Sequence, residues 1–152
     1  MVLAELTISN ARTCQVCAYH RPHPDDDVSL EPLSQSLSKI NPISKSVTIV
    51  GGECNLGYMD WETLSVFQGK PNQKQHQQFL DIINDNSLTQ VVNKTTRKDK
   101  TLDLILTNYP TTVNKLETLP PIADHDIVYI ECITANQNQE KYLNTPKQIG
   151  KI

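Results

Sequence analysis

The chain has 152 residues, which suits one domain in which roughly two-thirds of the unfolded surface can be buried. Its 14 basic and 17 acidic residues leave a net charge of −3. That balance argues against a strong non-specific grip on nucleic acid, which needs clustered Lys and Arg on phosphates, but it leaves room for a local basic patch.

The hydrophobic share of 38% and aromatic share of 5% predict a modest core. No apolar run approaches the ~18 residues of a membrane span. The opening MVLAELTISNARTCQ has no basic segment followed by a long apolar one, so no signal peptide is expected. Cys14, Cys17, Cys54 and Cys132 therefore read as reduced thiols of an intracellular protein. Residues 1–13 read as an N-terminal extension, and residues 134–152 as a polar tail or linker.

In chain order, CQVCAY from Cys14 reads as a short strand, and HRPHPDDD enforces a loop. Leu30, Leu33, Leu37 and Ile40 fall at helical offsets, with Ser29 as N-cap and Asn41-Pro42 as the stop. Val47 to Val50 is a strand covered on both faces, and Gly51-Gly52 is expected to break it. Asp60 is placed to cap a short helical turn, WETLSVF. From Asn72 a longer helix is predicted, with His76, Phe79, Leu80 and Ile83 on one stripe and Asn72 and Gln75 spaced as a capping box. Leu88 to Val92 is a candidate strand and TRKDKT a charged turn. LDLILT, from Leu102, is a strand with its leucines on one face and Asp103, Ile105 and Thr107 on the other. Thr112 to Leu119 and Asp126 to Thr134 follow as strands. The order implies an α/β domain whose later half is mostly antiparallel.

Three segments put polar groups at the ends of apolar strands: Glu53 with Asn55, Asp103, and Asp124-His125. Strand ends are where sites are built, because the sheet fixes the groups while loops admit a ligand. An Asp within an apolar strand is costly unless it is paired, and His125 is a natural partner for Asp103.

The strings IVGGECNLGYMDW, TRKDKTLDLILTN and PPIADHDIVYIE, in that order, resemble the endonuclease/exonuclease/phosphatase superfamily. The likeness is nearest to the apurinic-type endonuclease domain of non-LTR retrotransposons. It spans Cys14 to Cys132, and the order of motifs, Gly-Asp-Phe-Asn, Thr-Arg with Leu-Asp-Leu, and Ser-Asp-His, is matched. The resemblance implies part of a four-layer α/β sandwich with the N-terminal portion missing. It also implies Mg²⁺-dependent hydrolysis of a DNA phosphodiester, and a reverse transcriptase domain in a longer parent polyprotein acting in the nucleus. By the same resemblance Asn55 contacts the scissile phosphate and Glu53 positions or deprotonates the attacking water. His125 stabilises charge on the phosphate oxygens, oriented by Asp103. Asp124 lies near the metal, and Thr96, Arg97 and Lys98 approach the substrate strand. A phosphoryl centre needs this combination of activated water, positive charge and fixed donors.

The chain departs from the family at several points. Glu53 stands for an Asp and Cys54 for a Phe; His20 stands where a Tyr meets the phosphate, with Tyr19 on the other face; Ala123 stands for a Ser. The principal metal-binding Glu of the family has no counterpart, and Asn10-Ala11-Arg12 lies at the wrong distance to be its opening Asn motif. The expectation is a truncated endonuclease of weak or no activity; the alternative is a non-catalytic fragment that binds nucleic acid or protein. A zinc reading of Cys14, Cys17, His20 and His23 is disfavoured, since a strand turns Cys14 and Cys17 to opposite faces. Lys94, Arg97, Lys98 and Lys100 form either a phosphate patch or a solvated hairpin turn.

Overall fold

Apolar and β-branched runs supply one central sheet, and two amphipathic stretches supply its cover. The structure, a computed structural model, describes residues 2–7, 13–40 and 46–133. The sheet runs in the order β1 (Val2–Thr7), β2 (Thr13–Ala18), β3 (Val47–Glu53), β7 (Asp103–Thr107), β6 (Thr89–Gln90). Among the described residues only β2 and β3 pair in parallel; α1 (Leu30–Ile40) lies between them in sequence, as a parallel crossover requires. A short hairpin, β4 (Met59–Asp60) and β5 (Ser65–Val66), leads into α2 (Gln73–Asp85). β8 (Val113–Leu119) and β9 (Ile127–Cys132) form a separate antiparallel pair.

Side-chain alternation sorts the strands into layers. Cys17, Val50, Leu104 and Leu106 face the helices and pack with Leu30, Leu33, Leu37, Phe79, Ile82 and Ile83. Cys14, Val47 and Ile49 face the other way, where Ile105, Ile130 and Cys132 close over them. Helices, central sheet and the β8–β9 pair thus stack as a mixed α/β sandwich. Cys14 and Cys17 lie in different cores, so they share no metal.

Several local expectations are corrected. Residues 2–7, read as part of an extension, form β1, the edge strand paired along β2. The stretch after Asp60 is a hairpin turn and not a helix; the Asp60 carboxylate accepts from the amides of Glu62 and Thr63 and tightens it. Asn72 caps α2 in a left-handed conformation without a side-chain hydrogen bond, so no capping box forms. Ser29 directly precedes α1 as expected and its carbonyl accepts the Leu33 amide at 3.3 Å, but its hydroxyl is engaged by the Tyr19 hydroxyl at 2.9 Å; Asp26 accepts from the amides of Val28 and Ser29 just before the helix. Asn10-Ala11-Arg12, Asn41-Pro42 and the tail fall outside the described residues.

The glycine pair does not end β3; it lets another chain segment lie against it. A Cβ on Gly52 would sit 1.9 Å from the Tyr19 carbonyl oxygen, and its φ of +142° strains any L side chain. Gly69 also has positive φ, +71°, but nothing lies within 4 Å of its missing Cβ. Gly52→Ala is therefore expected to destabilise the fold by about 3 kcal/mol or more, and Gly69→Ala by only about 1 kcal/mol. Urea unfolding of both variants checks the contrast.

His76 is buried on α2 and satisfied only as the neutral ring. Its Nδ1–H donates to the Asn72 carbonyl at 2.7 Å, and its Nε2 accepts the Tyr58 amide at 3.2 Å. Burial lowers its pKa, with Arg21 and Lys100 adding to the effect against the opposing Asn72 bond. The unfolded chain therefore binds this proton more readily than the folded one, so stability rises with pH. Stability is expected to be full above the unfolded value of about 6.5 and to be lost as pH falls through the lower folded value. Unfolding free energy measured against pH should show this slope in the native chain and a shallower one in His76→Gln.

Candidate active site

The antiparallel pairing of β3 with β7 sets Glu53 opposite Asp103 at one end of the sheet. The chain stays locked past that point, where the Cys54 amide donates to the Leu102 carbonyl at 2.8 Å. The segment leaving β2 runs along the same end: the Tyr19 amide donates to the Gly51 carbonyl and the Arg21 amide to the Glu53 carbonyl, each at 2.9 Å. His20 lies between those two bonds, and strand parity turns it away from buried Tyr19. His125 arrives from the segment before β9, tied down by the Asp126 amide on the Thr96 carbonyl at 2.8 Å.

Four side chains meet there as a chain. His125 Nδ1–H donates to Asp103 Oδ2 at 2.7 Å, and His125 Nε2 lies 3.4 Å from Glu53 Oε1. His20 Nε2 lies 3.4 Å from Glu53 Oε2. Asp103, His125 and Glu53 are 22–25% exposed at the side chain, while His20 is 66% exposed. Register thus sets two carboxylates side by side, with the His125 ring reaching both.

The other expected residues take different places. Asn55 is buried with φ +53°, and its amide nitrogen donates to the Arg21 carbonyl at 2.7 Å. It thus pins the proline loop. Thr96, expected to approach substrate, is fully buried. Its hydroxyl oxygen accepts from the amides of Leu102 and Asp103, both at 3.0 Å, so its part is to hold Asp103 and, through its carbonyl, the His125 segment. Asp124 is 66% exposed and pairs with Arg97 at 2.5 Å. Lys98 is exposed on the turn with φ +54°.

One residue escaped the sequence reading. Arg21 is fully buried, and its Nη2 donates to the Pro24 and Asp26 carbonyls, fastening the loop from within. Parity could have found it: Cys17, Tyr19 and Arg21 alternate inward from β2.

Residues 13–129 match the endonuclease–reverse transcriptase family. The chain belongs to that family. It is an endonuclease/exonuclease/phosphatase-type retrotransposon domain by that match, which contains all four residues of the cluster. No curated protein and no solved structure matches the chain.

The magnesium implied by the resemblance does not fit these side chains as they stand. Magnesium takes near-octahedral oxygen ligands, with one or two carboxylates alongside waters and phosphate. Here Glu53 is held by two histidines, Asp103 by His125 and Asp124 by Arg97. Among the described residues no three His, Cys, Asp or Glu side chains are grouped to hold a metal ion.

Thr96→Val keeps the shape but strands two amides that lose their acceptor. The expected loss is about 2–4 kcal/mol of stability, the penalty for two unsatisfied buried donors, read by urea unfolding.

Proposed function

We propose that the chain is a phosphodiester-cleaving domain that acts on DNA. The observation that carries this reading is the run Asp103–His125–Glu53, with a hydrogen bond of 2.7 Å and an ion-pair separation of 3.4 Å, set at the sheet end inside the family match. Asp103 fixes the ring of His125 so that Nε2 faces Glu53. His125 donates from Nε2 to a phosphoryl oxygen as charge builds on it. Glu53 accepts the proton of the attacking water. His20, at the exposed end of the run, is placed to meet the substrate's flank. Asn55 acts by fixing the proline loop beside Glu53.

The exposed turn carrying Lys98, with Arg97 against Asp124, offers positive charge near His125 for the phosphate backbone. A reverse transcriptase domain in a longer parent chain is the partner this family's description implies, and chromosomal DNA would place the reaction in the nucleus. No helix among the described residues is long and apolar enough to cross a membrane.

A second reading, an interaction module without catalysis, draws on β1. This edge strand leaves Val2, Leu3 and Leu6 exposed, and an open edge can pair with another chain.

Nicking of supercoiled plasmid by the purified chain separates the two. Cleavage is expected, and is expected to fall on the order of 10²–10³-fold in His125→Ala, the cost of removing one donor to the developing charge. A folded chain that binds plasmid without nicking it, equally in His125→Ala, would support the interaction module and end the nuclease reading.

A further inference from the structure

Outside the His125 cluster, positive charge gathers on one tyrosine. Lys100 Nζ lies over the Tyr58 ring at 4.1 Å from its centroid, and Lys70 Nζ lies over the same ring at 5.8 Å. A cation within about 6 Å of an aromatic face is attracted by the ring's quadrupole. The two ammonium groups therefore stand within about 10 Å of each other, a Debye length at 0.1 M salt, where like charges still repel. Among the described residues no carboxylate stands at ion-pair distance from either lysine, whereas Arg97 is paired with Asp124 and Lys115 with Glu117.

The fold fixes both the ring and the lysine nearest to it. The Tyr58 amide donates to His76 Nε2 at 3.2 Å, and its carbonyl accepts the Phe67 amide at 3.0 Å. The ring lies tilted against the His76 ring, with centroids 5.8 Å apart. Lys100 closes the 97–100 turn: its amide donates to the Arg97 carbonyl at 3.0 Å, and its carbonyl accepts the amides of Thr96 and Arg97 at 2.9 and 3.1 Å. Its stem crosses Gly57, where a Cβ would sit 2.6 Å from Lys100 Cδ. Lys100 is half-buried, and Lys70, just before α2, is exposed. A side chain held as Lys100 is has already lost rotamer freedom that binding would otherwise have to remove.

We propose that Lys100 and Lys70 bind the backbone phosphates of a DNA strand passing over Tyr58, at a place separate from the His125 cluster. A phosphodiester is an anion whose oxygens only accept, so it takes up the free ammonium donors and offsets their mutual repulsion. The 97–100 turn joins the two places: Arg97 reaches Asp124, next to His125, while Lys100 reaches Tyr58. Phosphate contacts carry no base information, so these lysines set where the strand lies and not which sequence is chosen. The assignment rests on the reading of DNA as the substrate, but not on its being cut.

Binding of the purified chain to a short fluorescent DNA duplex, in EDTA, is followed by anisotropy over a series of salt concentrations. Lys100→Gln and Lys70→Gln are each expected to weaken binding roughly 3–10-fold near 0.1 M salt and to lower the slope of log affinity against log salt by about 0.9, the share of one phosphate contact. Tyr58→Leu takes the ring from under both lysines and should weaken binding by a similar factor, while Tyr58→Phe should not. Lys115→Gln, on β8 and paired with Glu117, should change neither affinity nor slope. Circular dichroism checks the fold of each variant. Unchanged slopes in both Lys100→Gln and Lys70→Gln would overturn the proposal. An equal loss in Lys115→Gln would overturn it too, since diffuse charge would then account for the binding, and so would absence of binding by the native chain. Binding that depends on these lysines, from a chain that does not nick plasmid, would uphold the site while ending the nuclease reading.

Discussion

The pairing of β3 with β7 is the constraint on which the site depends. Backbone register alone places Glu53 beside Asp103, and no side-chain attraction could do so, because the two are like charges. The lock continues beyond the strands through Cys54 and Leu102. The fold thus stores an electrostatic conflict at one sheet end and answers it with His125, whose ring joins Asp103 at 2.7 Å and faces Glu53 at 3.4 Å. A histidine on a freely moving segment would lose much of this by entropy. Thr96 prevents that: one buried residue holds the start of β7 with its hydroxyl and the segment before β9 with its carbonyl.

The second constraint is steric. Gly52 clears the space through which the Tyr19 carbonyl passes, and the amides of Tyr19 and Arg21 then bond along β3. This brings His20 within 3.4 Å of Glu53 although 33 positions separate them in sequence. Arg21 and Asn55 hold the loop that follows, the first from inside by its guanidinium, the second by its amide on the Arg21 carbonyl. The residues around the cluster therefore act mainly by fixing backbone, and few of them need to touch a substrate.

Much of this was legible in the sequence, and what was not has a common cause. Periodicity located α1, α2, β7 and β9 because each packs one face against a core, and the pattern of buried positions follows from that packing. The Asp103–His125 bond was legible because an Asp in an apolar strand needs a partner. What failed were readings that assign one local meaning to a residue. Gly51-Gly52 looks like a terminator, but its use is close approach to a segment distant in sequence. Thr96 sits in a charged, solvent-like stretch, yet is buried because its hydroxyl satisfies amides of β7. β1 lacked a signal since an edge strand with Val2, Leu3 and Leu6 on both faces shows no alternation. Each of these is decided by tertiary contacts that no window of sequence contains.

The departures from the family pattern at His20 and Glu53 make more sense together than singly. Glu is one methylene longer than Asp and, on the same backbone, carries its carboxylate further from β3. That displacement taken alone would be costly, as about 1 Å at such a centre can lower a rate ~10²-fold. With a histidine at position 20, the longer side chain has a second partner: one carboxylate oxygen faces His125 and the other faces His20. A shorter Asp would be held further back, with less reach to span two rings. The two replacements therefore convert a carboxylate serving one histidine into a bridge between two.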